Sequence, residues 1–266
     1  MSPSIAASWF VARFRAGLQY RAAAWAGVST QLVFGFARVM IVLAFFRAGS
    51  ADQPMTAAQA VSYIWLGQLF LRLMPWGLEE LDAEVRTGQI AYNLLRPTSL
   101  LAQYFVRSLA ACAAAVTLRA LPMLPVTMLL PGDYRLLPPT LLGGAMFTVT
   151  ILGAAVQSAA VNCVMAMVCF RSVTGDGIRL MVRTLTMLLA GNILPVPLLP
   201  DGLQTLLFLN PFAGLSDLPC RLWTGALDPA MGPAVLALQL GWTVVILALA
   251  RWVMNRNLRS LCILGG

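Results

Sequence analysis

The densest group of chemically capable side chains in this sequence is an acidic cluster. Four of the ten acidic residues fall within six positions, namely Glu79, Glu80, Asp82 and Glu84. Their carboxylates could ligate Mg²⁺ in principle, but the sequence contains no second acidic cluster to face them. Two main interpretations stay open for the cluster, a solvated charged loop or a surface that docks another protein.

The residue types that are absent exclude most enzymatic chemistry. The chain has no His, and all 18 of its basic residues are Arg, so it has no Lys. A His general base, a His metal ligand and a Schiff-base Lys are therefore excluded. ATP hydrolysis through a Walker A loop is excluded as well, because that loop needs its Lys. The five cysteines are scattered, so we expect no metal cluster, no disulfide and no bound cofactor.

The composition predicts a membrane protein. Hydrophobic residues make up 59% of the 266 residues, charged residues only 11%, and the mean hydropathy is +0.80. Soluble domains carry about 25% charged residues, whereas a helix crosses a bilayer with about 20 apolar ones. The predicted fold is one all-α polytopic domain over residues 1–266 with six transmembrane helices. The predicted spans are 22–46, 57–78, 109–130, 136–170, 180–199 and 233–253.

The fourth predicted span is long for a single crossing, so we expect it to project beyond one face or to break near Gly143 and Gly144. The arginines predict the orientation, because cytoplasmic loops are enriched in basic residues. With both termini in the cytoplasm, 13 of the 18 arginines fall inside and three outside. The net charge of +8 is then a topology signal that requires no nucleic acid partner. No cleavable signal peptide is expected.

Three segments outside the spans are predicted to be ordered. Residues 5–20 are either an interfacial helix or a charged flank of the first span. The cytoplasmic loop after the second span is predicted to be a helix–turn–helix, with Gly88 ending its first helix and Pro97 stopping its second.

The outer loop before the last span is predicted to contain two short helices. Asp201 is expected to be the N-cap of the first helix, over 202–209, and Pro211 to end it. A second short segment over 215–223 is expected to close at Gly225. The two helices are either re-entrant beneath the outer leaflet or an amphipathic hairpin that only caps the bundle.

Of the arginines within the predicted spans, Arg38 and Arg119 are the two that are assigned to neither face. Arg38 lies nearer the end of its span and is expected to snorkel towards water. Arg119 lies near a span centre, where an Arg costs about 2.5–3.5 kcal/mol. It is expected either to pair with carbonyls or with Gln157 or Asn162, or to line a path for an anionic or amphipathic substrate. No Asp or Glu lies in a predicted span, which argues against a proton-driven antiporter.

Four segments together resemble the ABC-2 type membrane subunits of ATP-binding-cassette transporters, and in particular the uncharacterised branch whose permeases are commonly encoded in pairs beside an ATPase. Residues 86–97 read RTGQIAYNLLRP, close to the family pattern R-x-G-x-I-A-x-x-L-L-R-P. The other three segments are residues 14–21, Gly67-Gln68 and Asn210-Pro211-Phe212. The resemblance extends over essentially the whole chain.

The resemblance implies an exporter permease of the bacterial inner membrane with six spans per subunit. Two such subunits, identical or paralogous, would form the path within membrane lipids, and a cytoplasmic ATPase dimer would bind ATP and Mg²⁺. It places the coupling helix in the loop after the second span. As a hypothesis beside the resemblance, the outer hairpin with Asp201, Asn210 and Pro211 would gate the exit or hold lipid away. The implied coupling residues are Glu79, Glu80, Asp82, Glu84, Arg86 and Gly88, followed by the motif residues Leu95, Arg96 and Pro97.

Two other classes of function stay open. A stand-alone secondary transporter is disfavoured by the missing intramembrane acids, and a membrane-embedded lipid-modifying enzyme by the missing second acidic cluster. ATPase-dependent transport in vesicles would discriminate among the three classes.

Overall fold

The computed structural model describes residues 3–49, 54–77, 83–84, 87, 89–96, 98–169 and 175–258. Within these ranges the chain is helical and has no strand, as predicted. The helices are α1 (Pro3–Gly17), α2 (Arg21–Ala48), α3 (Ala57–Leu69), α4 (Ile90–Leu94), α5 (Leu100–Met128), α6 (Leu141–Cys169), α7 (Asp176–Leu189), α8 (Asp201–Phe208), α9 (Asp217–Thr224) and α10 (Gly232–Leu258).

Among the described residues, four helices are long and apolar enough to cross a bilayer, namely α2, α5, α6 and α10. At about 1.5 Å per residue each is roughly 40 Å long, which exceeds a hydrocarbon core of about 30 Å. They correspond to the first, third, fourth and sixth predicted spans. The expected break near Gly143 and Gly144 is absent from α6, because both glycines lie in its first turn, after Pro138 and Pro139.

The second and fifth predicted spans are only partly helical. α3 has 13 residues and α7 has 14, so each is about 20 Å long and too short to cross as a helix. A 3₁₀ turn at Leu71–Leu73 follows α3, and the segment 190–199 follows α7. Gly191, whose φ of 68° is left-handed, follows the end of α7. Pro195 and Pro197 come next in the chain. In the described chain, four long and two short helices therefore replace the predicted six full-length spans.

The helices pack around α6. Two thirds (67%) of its most apolar stretch is buried, against 28% for each of α2, α5 and α10. α10 runs along α6, α2 packs on α3, and α1 packs along the first half of α5. The largest apolar cluster joins α3 to α5 and α6 through Trp65, Met123 and Phe147. This packing leaves one side of α2 exposed.

The short helices before α10 were largely predicted from the sequence. α8 and α9 correspond to the two predicted segments, and Gly225 ends α9 with a left-handed φ of 72°. The predicted N-cap was wrong, because α8 starts at Asp201 itself and Pro200 occupies the N-cap position without a side-chain hydrogen bond. Asp201 still places a carboxylate in the first turn, where the helix dipole favours negative charge. At the N-terminus, α1 is helical, and its interfacial position remains a prediction.

Candidate translocation cavity and coupling segment

The C-terminal end of α3 lies inside the protein. The last carbonyls of a helix have no partner within the helix, and leaving them bare in apolar surroundings is costly. Here two buried side-chain amides supply the missing donors. Gln31 Nε2 donates to the carbonyl of Gln68 at 3.0 Å, and Asn192 Nδ2 donates to that of Gly67 at 3.2 Å. The short helix is thus fixed between α2 and the segment after α7.

A cavity of about 290 Å³ lies beside this helix end, between α2, α3 and residues 191–195. Most of its wall is apolar, and it reaches the surface beside Ile41, which is 69% exposed. The apolar lining residues are Ile41, Val42, Ile64, Ile193, Leu194 and Pro195. Irregular backbone at membrane depth is tolerated only when protein buries it or when it lines a cavity. Residues 191–195 all line the cavity, and Gly191, Asn192 and Pro195 are also buried.

Two polar side chains in the cavity wall are incompletely satisfied. Arg38 Nη2 lies 3.5 Å from the carbonyl oxygen of Ile193, at the long limit for a hydrogen bond. Asn192 is 6% exposed, and its Oδ1 has no hydrogen-bond partner among the described residues. Arg38 lies only about 5 Å along α2 from the midpoint of that helix. The cavity thus offers one cation and one buried acceptor at membrane depth.

A buried ion pair lies behind the cavity wall and was missed by the sequence analysis. Asp217 is fully buried, and Arg221 Nε lies 2.9 Å from its Oδ2. The Tyr63 hydroxyl, from α3, donates to Asp217 Oδ1 at 2.7 Å. A Cβ at Gly191 would lie 2.4 Å from this hydroxyl, so only Gly fits there. The i,i+4 spacing of Asp217 and Arg221 on a short helix was the available signal.

The polar residues predicted to surround Arg119 do not meet it. The Arg119 guanidinium lies against Gly27 of α2, where a Cβ would be 2.4 Å from Cζ. Gln157 instead donates to the carbonyl of Pro211 at 2.6 Å. Asn162 donates to Ser108 at 2.8 Å and accepts from the backbone N–H of Gly77 at 2.9 Å. Arg119 itself makes no hydrogen bond or ion pair with any other residue that the structure describes.

The predicted outer hairpin is tied to the bundle by its Asn-Pro-Phe sequence. Asn210 Oδ1 accepts from the backbone N–H groups of Phe212 at 2.7 Å and Ala213 at 3.1 Å. Its Nδ2 donates to the carbonyl of Leu189, the last residue of α7, at 3.1 Å. Asn210 and Pro211 therefore link α8 to both α7 and α6, whereas Asp201 lies at the far end of α8 and is exposed.

In the loop after α3, the side chain of Glu84 from the acidic cluster is buried in the protein. It is 9% exposed and forms an ion pair with Arg107 of α5, with Oε1 and Nη1 2.6 Å apart. Its Oε2 accepts from Tyr104 at 2.6 Å and from Asn93 at 2.8 Å. These four residues anchor the loop to α5. The predicted residues Glu79, Glu80, Asp82, Arg86, Gly88 and Pro97 lie outside the described ranges.

The same loop also contacts the N-terminal helix. The Arg96 guanidinium lies 5.2 Å from the centre of the Trp9 ring in α1, within cation–π range. Tyr92 and Leu95 face outward and are 71% and 83% exposed. The sequence analysis named Leu95 and Arg96 only through the family motif and did not name Tyr92. The loop therefore joins α1 to α5 and presents an apolar pair at the surface.

The described residues contain no group of three or more His, Cys, Asp or Glu side chains that could hold a metal ion. The buried acids Glu84 and Asp217 are both held by arginines. The geometry supports a cavity within a helical bundle and an anchored loop.

Comparison with known proteins identifies the family. A search of curated proteins found no match to this chain. A family model described as "ABC-2 family transporter protein" matches residues 32–265. The match includes the cavity, the anchored loop and all four long helices apart from the first part of α2. The chain therefore belongs to the ABC-2 transporter family, as the resemblance of its motifs indicated, and is a multi-pass membrane protein.

Proposed function

We propose that this chain is the permease subunit of an ATP-binding-cassette exporter and that a separate ATPase drives it. Family membership supports a permease, and the absence of Lys requires that ATP be hydrolysed elsewhere. The observation that carries the proposal is the Glu84–Arg107 ion pair, because it connects the loop after α3 rigidly to α5, a helix long enough to span the membrane.

In this mechanism the ATPase dimer closes on ATP and Mg²⁺ and pushes on the loop. The Glu84–Arg107 pair transmits the push to α5, and the Arg96–Trp9 contact transmits it to α1. α3 and α7, each completed by its irregular continuation, make the second and fifth crossings, so both termini lie in the cytoplasm. The outer hairpin, tied by Asn210 and Gln157, gates the exit.

The acidic cluster then divides into two roles. Glu84 is a positioning residue, since its carboxylate is occupied by Arg107, Tyr104 and Asn93. Glu79, Glu80 and Asp82 pair with basic residues of the ATPase, and Arg86 and Gly88 complete the coupling helix. The exposed side chains of Tyr92 and Leu95 add apolar contact area to the same docking surface.

The assembly that follows from the proposal has two permease subunits in the inner membrane of a bacterium. The two subunits enclose the path, and lipid surrounds them. The exposed apolar residues of α2, such as Val33 and Phe34, are 69% and 63% exposed and suit either neighbour. ATP and Mg²⁺ bind only to the ATPase.

Charge reversal tests the proposed docking surface. Changing Glu79, Glu80 and Asp82 together to Arg should abolish co-purification with the partner ATPase, and with it ATP-dependent transport in inverted vesicles. Reversing Asp228, the exposed end residue of another loop, is the matched control and should change neither. Unaltered association of the triple variant, or transport by the permease without the ATPase, would overturn the proposal.

A further inference from the structure

We infer that the cavity beside Arg38 binds an amphiphile whose anionic head group also carries a hydroxyl. The inference rests on the proposed function for its meaning as a transport site, and it specifies the class of molecule that the path accepts. It depends on three features of the cavity: a cation, an unpartnered buried acceptor and apolar walls that reach the surface.

The cation requires an anion. A guanidinium has five N–H donors, and among the described residues Arg38 uses one of them, at 3.5 Å, on the carbonyl of Ile193. A cation at membrane depth is costly unless it is paired. Among the residues that the structure describes, no acidic side chain lines the cavity, and the nearby Asp217 is already held by Arg221 and Tyr63. A phosphate or carboxylate of a ligand can accept two parallel hydrogen bonds from Arg38.

The buried oxygen of Asn192 calls for a hydrogen-bond donor on the ligand. Asn192 Nδ2 donates to the carbonyl of Gly67, so its Oδ1 cannot exchange places with the nitrogen without facing another acceptor. Oδ1 is therefore a fixed acceptor without a partner among the described residues, in a side chain that lines the cavity. A hydroxyl on the ligand supplies that donor, which a choline head group lacks.

The apolar walls of the cavity favour a ligand with an apolar part. A volume of about 290 Å³ is at the lower end of ligand pockets, which run from about 300 to 1,000 Å³, so it holds a head group and the first carbons of a chain. Ile41, at the surface end of the cavity, is 69% exposed, and Phe45, one turn further along α2, is 52% exposed. The remaining tail can lie along this face in the bilayer. The ligand is a resident phospholipid or a transported amphiphile with the same head-group chemistry.

Native mass spectrometry of the full-length chain in neutral detergent, without the ATPase, tests the site. Three lipids with the same acyl chains serve as probes: phosphatidylglycerol, phosphatidylmethanol, which has the charge without a head-group hydroxyl, and phosphatidylcholine. We expect phosphatidylglycerol to be retained best. Arg38→Gln should weaken its retention about tenfold and make phosphatidylmethanol equal to phosphatidylcholine, whereas Asn192→Leu should make the two anionic lipids equal.

Two matched variants control for charge and folding. Arg47→Gln makes the same change at the exposed end of α2 and should leave retention unchanged. Ile41→Trp fills the surface end of the cavity from an exposed position, so it should fold normally and still reduce retention. Equal retention of all three lipids by the wild-type protein would overturn the inference. Unchanged retention of phosphatidylglycerol by Arg38→Gln, or by Ile41→Trp, would overturn it as well. Effective competition by free glycerol phosphate would do so too, because it would show that the site selects a soluble anion.

A transport experiment distinguishes a resident lipid from a transported amphiphile as the ligand. In vesicles with the ATPase, a resident lipid gives retention without ATP-dependent movement of labelled phosphatidylglycerol between leaflets, and a cargo gives both. Failure of the full-length chain to form a complex with the ATPase, with retained selective binding, would count against the proposed function alone. Normal coupling to the ATPase with unselective lipid binding would count against this inference alone.

Discussion

Two halves of the molecule handle their polar groups differently. In the packed half, formed by α6, α9 and α10, side-chain amides reach the backbone of neighbouring elements at short distances. Gln239 donates to the carbonyls of Thr150 at 2.8 Å and Gly214 at 2.7 Å. Buried amide oxygens without a described partner occur in both halves, at Asn192 in the open half and at Gln157 and Gln239 in the packed half. The halves differ in how they treat charge: Arg221 of the packed half is paired with Asp217 at 2.9 Å, whereas Arg38 of the open half, formed by α2, α3 and α7, has one long hydrogen bond within the described chain. The contrast supports a scaffold role for the packed half and the proposed ligand site in the open half.

Breaking the buried polar contact between the halves should have the largest effect. Tyr63 of α3 and Asp217 of α9 join them, and Asp217→Ala would leave Arg221 buried without its partner. Removing one member of a buried pair costs about 3–5 kcal/mol, so we expect most of the protein to be lost as aggregate. Thermal unfolding in detergent, followed by size exclusion, measures this. The double variant Asp217→Leu/Arg221→Met, which removes both charges, should recover much of the loss, and a double variant as unstable as the single one would contradict this account.

The ion pair that anchors the loop after α3 to α5 should have the next largest effect. Glu84→Gln keeps the shape of the side chain and removes the charge that Arg107 pairs with, at an expected cost of about 2 kcal/mol. Permease-dependent stimulation of the ATPase should fall while binding of the ATPase persists, since Glu84 is a positioning residue. A double-mutant cycle with Arg107→Gln should show that the two effects are not additive. Asp176→Asn, in an ion pair whose acidic side is 83% exposed, is the control that should change little.

One glycine substitution in each half should sharpen the comparison. In the packed half, a Cβ at Gly153 would lie 2.3 Å from Gln239 Oε1, and the hydrogen bonds of Gln239 restrain it. Gly153→Ala should cost about 1–3 kcal/mol. In the open half, the Cβ of Gly27→Ala would meet only the flexible end of Arg119. That variant should be neutral or stabilised by up to about 1 kcal/mol. Equal destabilisation by the two variants, measured by denaturant unfolding, would remove the distinction between the halves.

The smallest effect is expected at an exposed ion pair near the end of α2. Arg47 and Asp133 are 3.9 Å apart, with side chains 67% and 75% exposed. Exposed pairs contribute about 0–1 kcal/mol, so Arg47→Gln should leave both the midpoint of thermal unfolding and lipid retention within error. A marked loss of stability would indicate that this surface is covered in the assembled transporter.

The parts of the site that could be predicted from the sequence are those with a local signal. Gly225 ends α9 as its position after a short helical segment indicated, and the motif around Asn210 forms an ordered turn. Arg38 was recognised as intramembrane, but its contact with Ile193 could not be foreseen. Glu84 was recognised as part of an acidic segment, and its inward orientation depends on Arg107 of the next helix. No pattern within one segment reports such a partner.

The amino-acid sequence alone determined the class of protein, because hydropathy, charge content and the lack of Lys are sums over local residues. It also determined the four long helices and, through its motifs, the transporter family. The tertiary structure decided that α3 and α7 stop short, since amides from Gln31 and Asn192 are there to meet the bare carbonyls at the end of α3. It also decided which charges are paired, because Tyr63 meets Asp217 and Arg38 meets Ile193 only after the chain between them has folded.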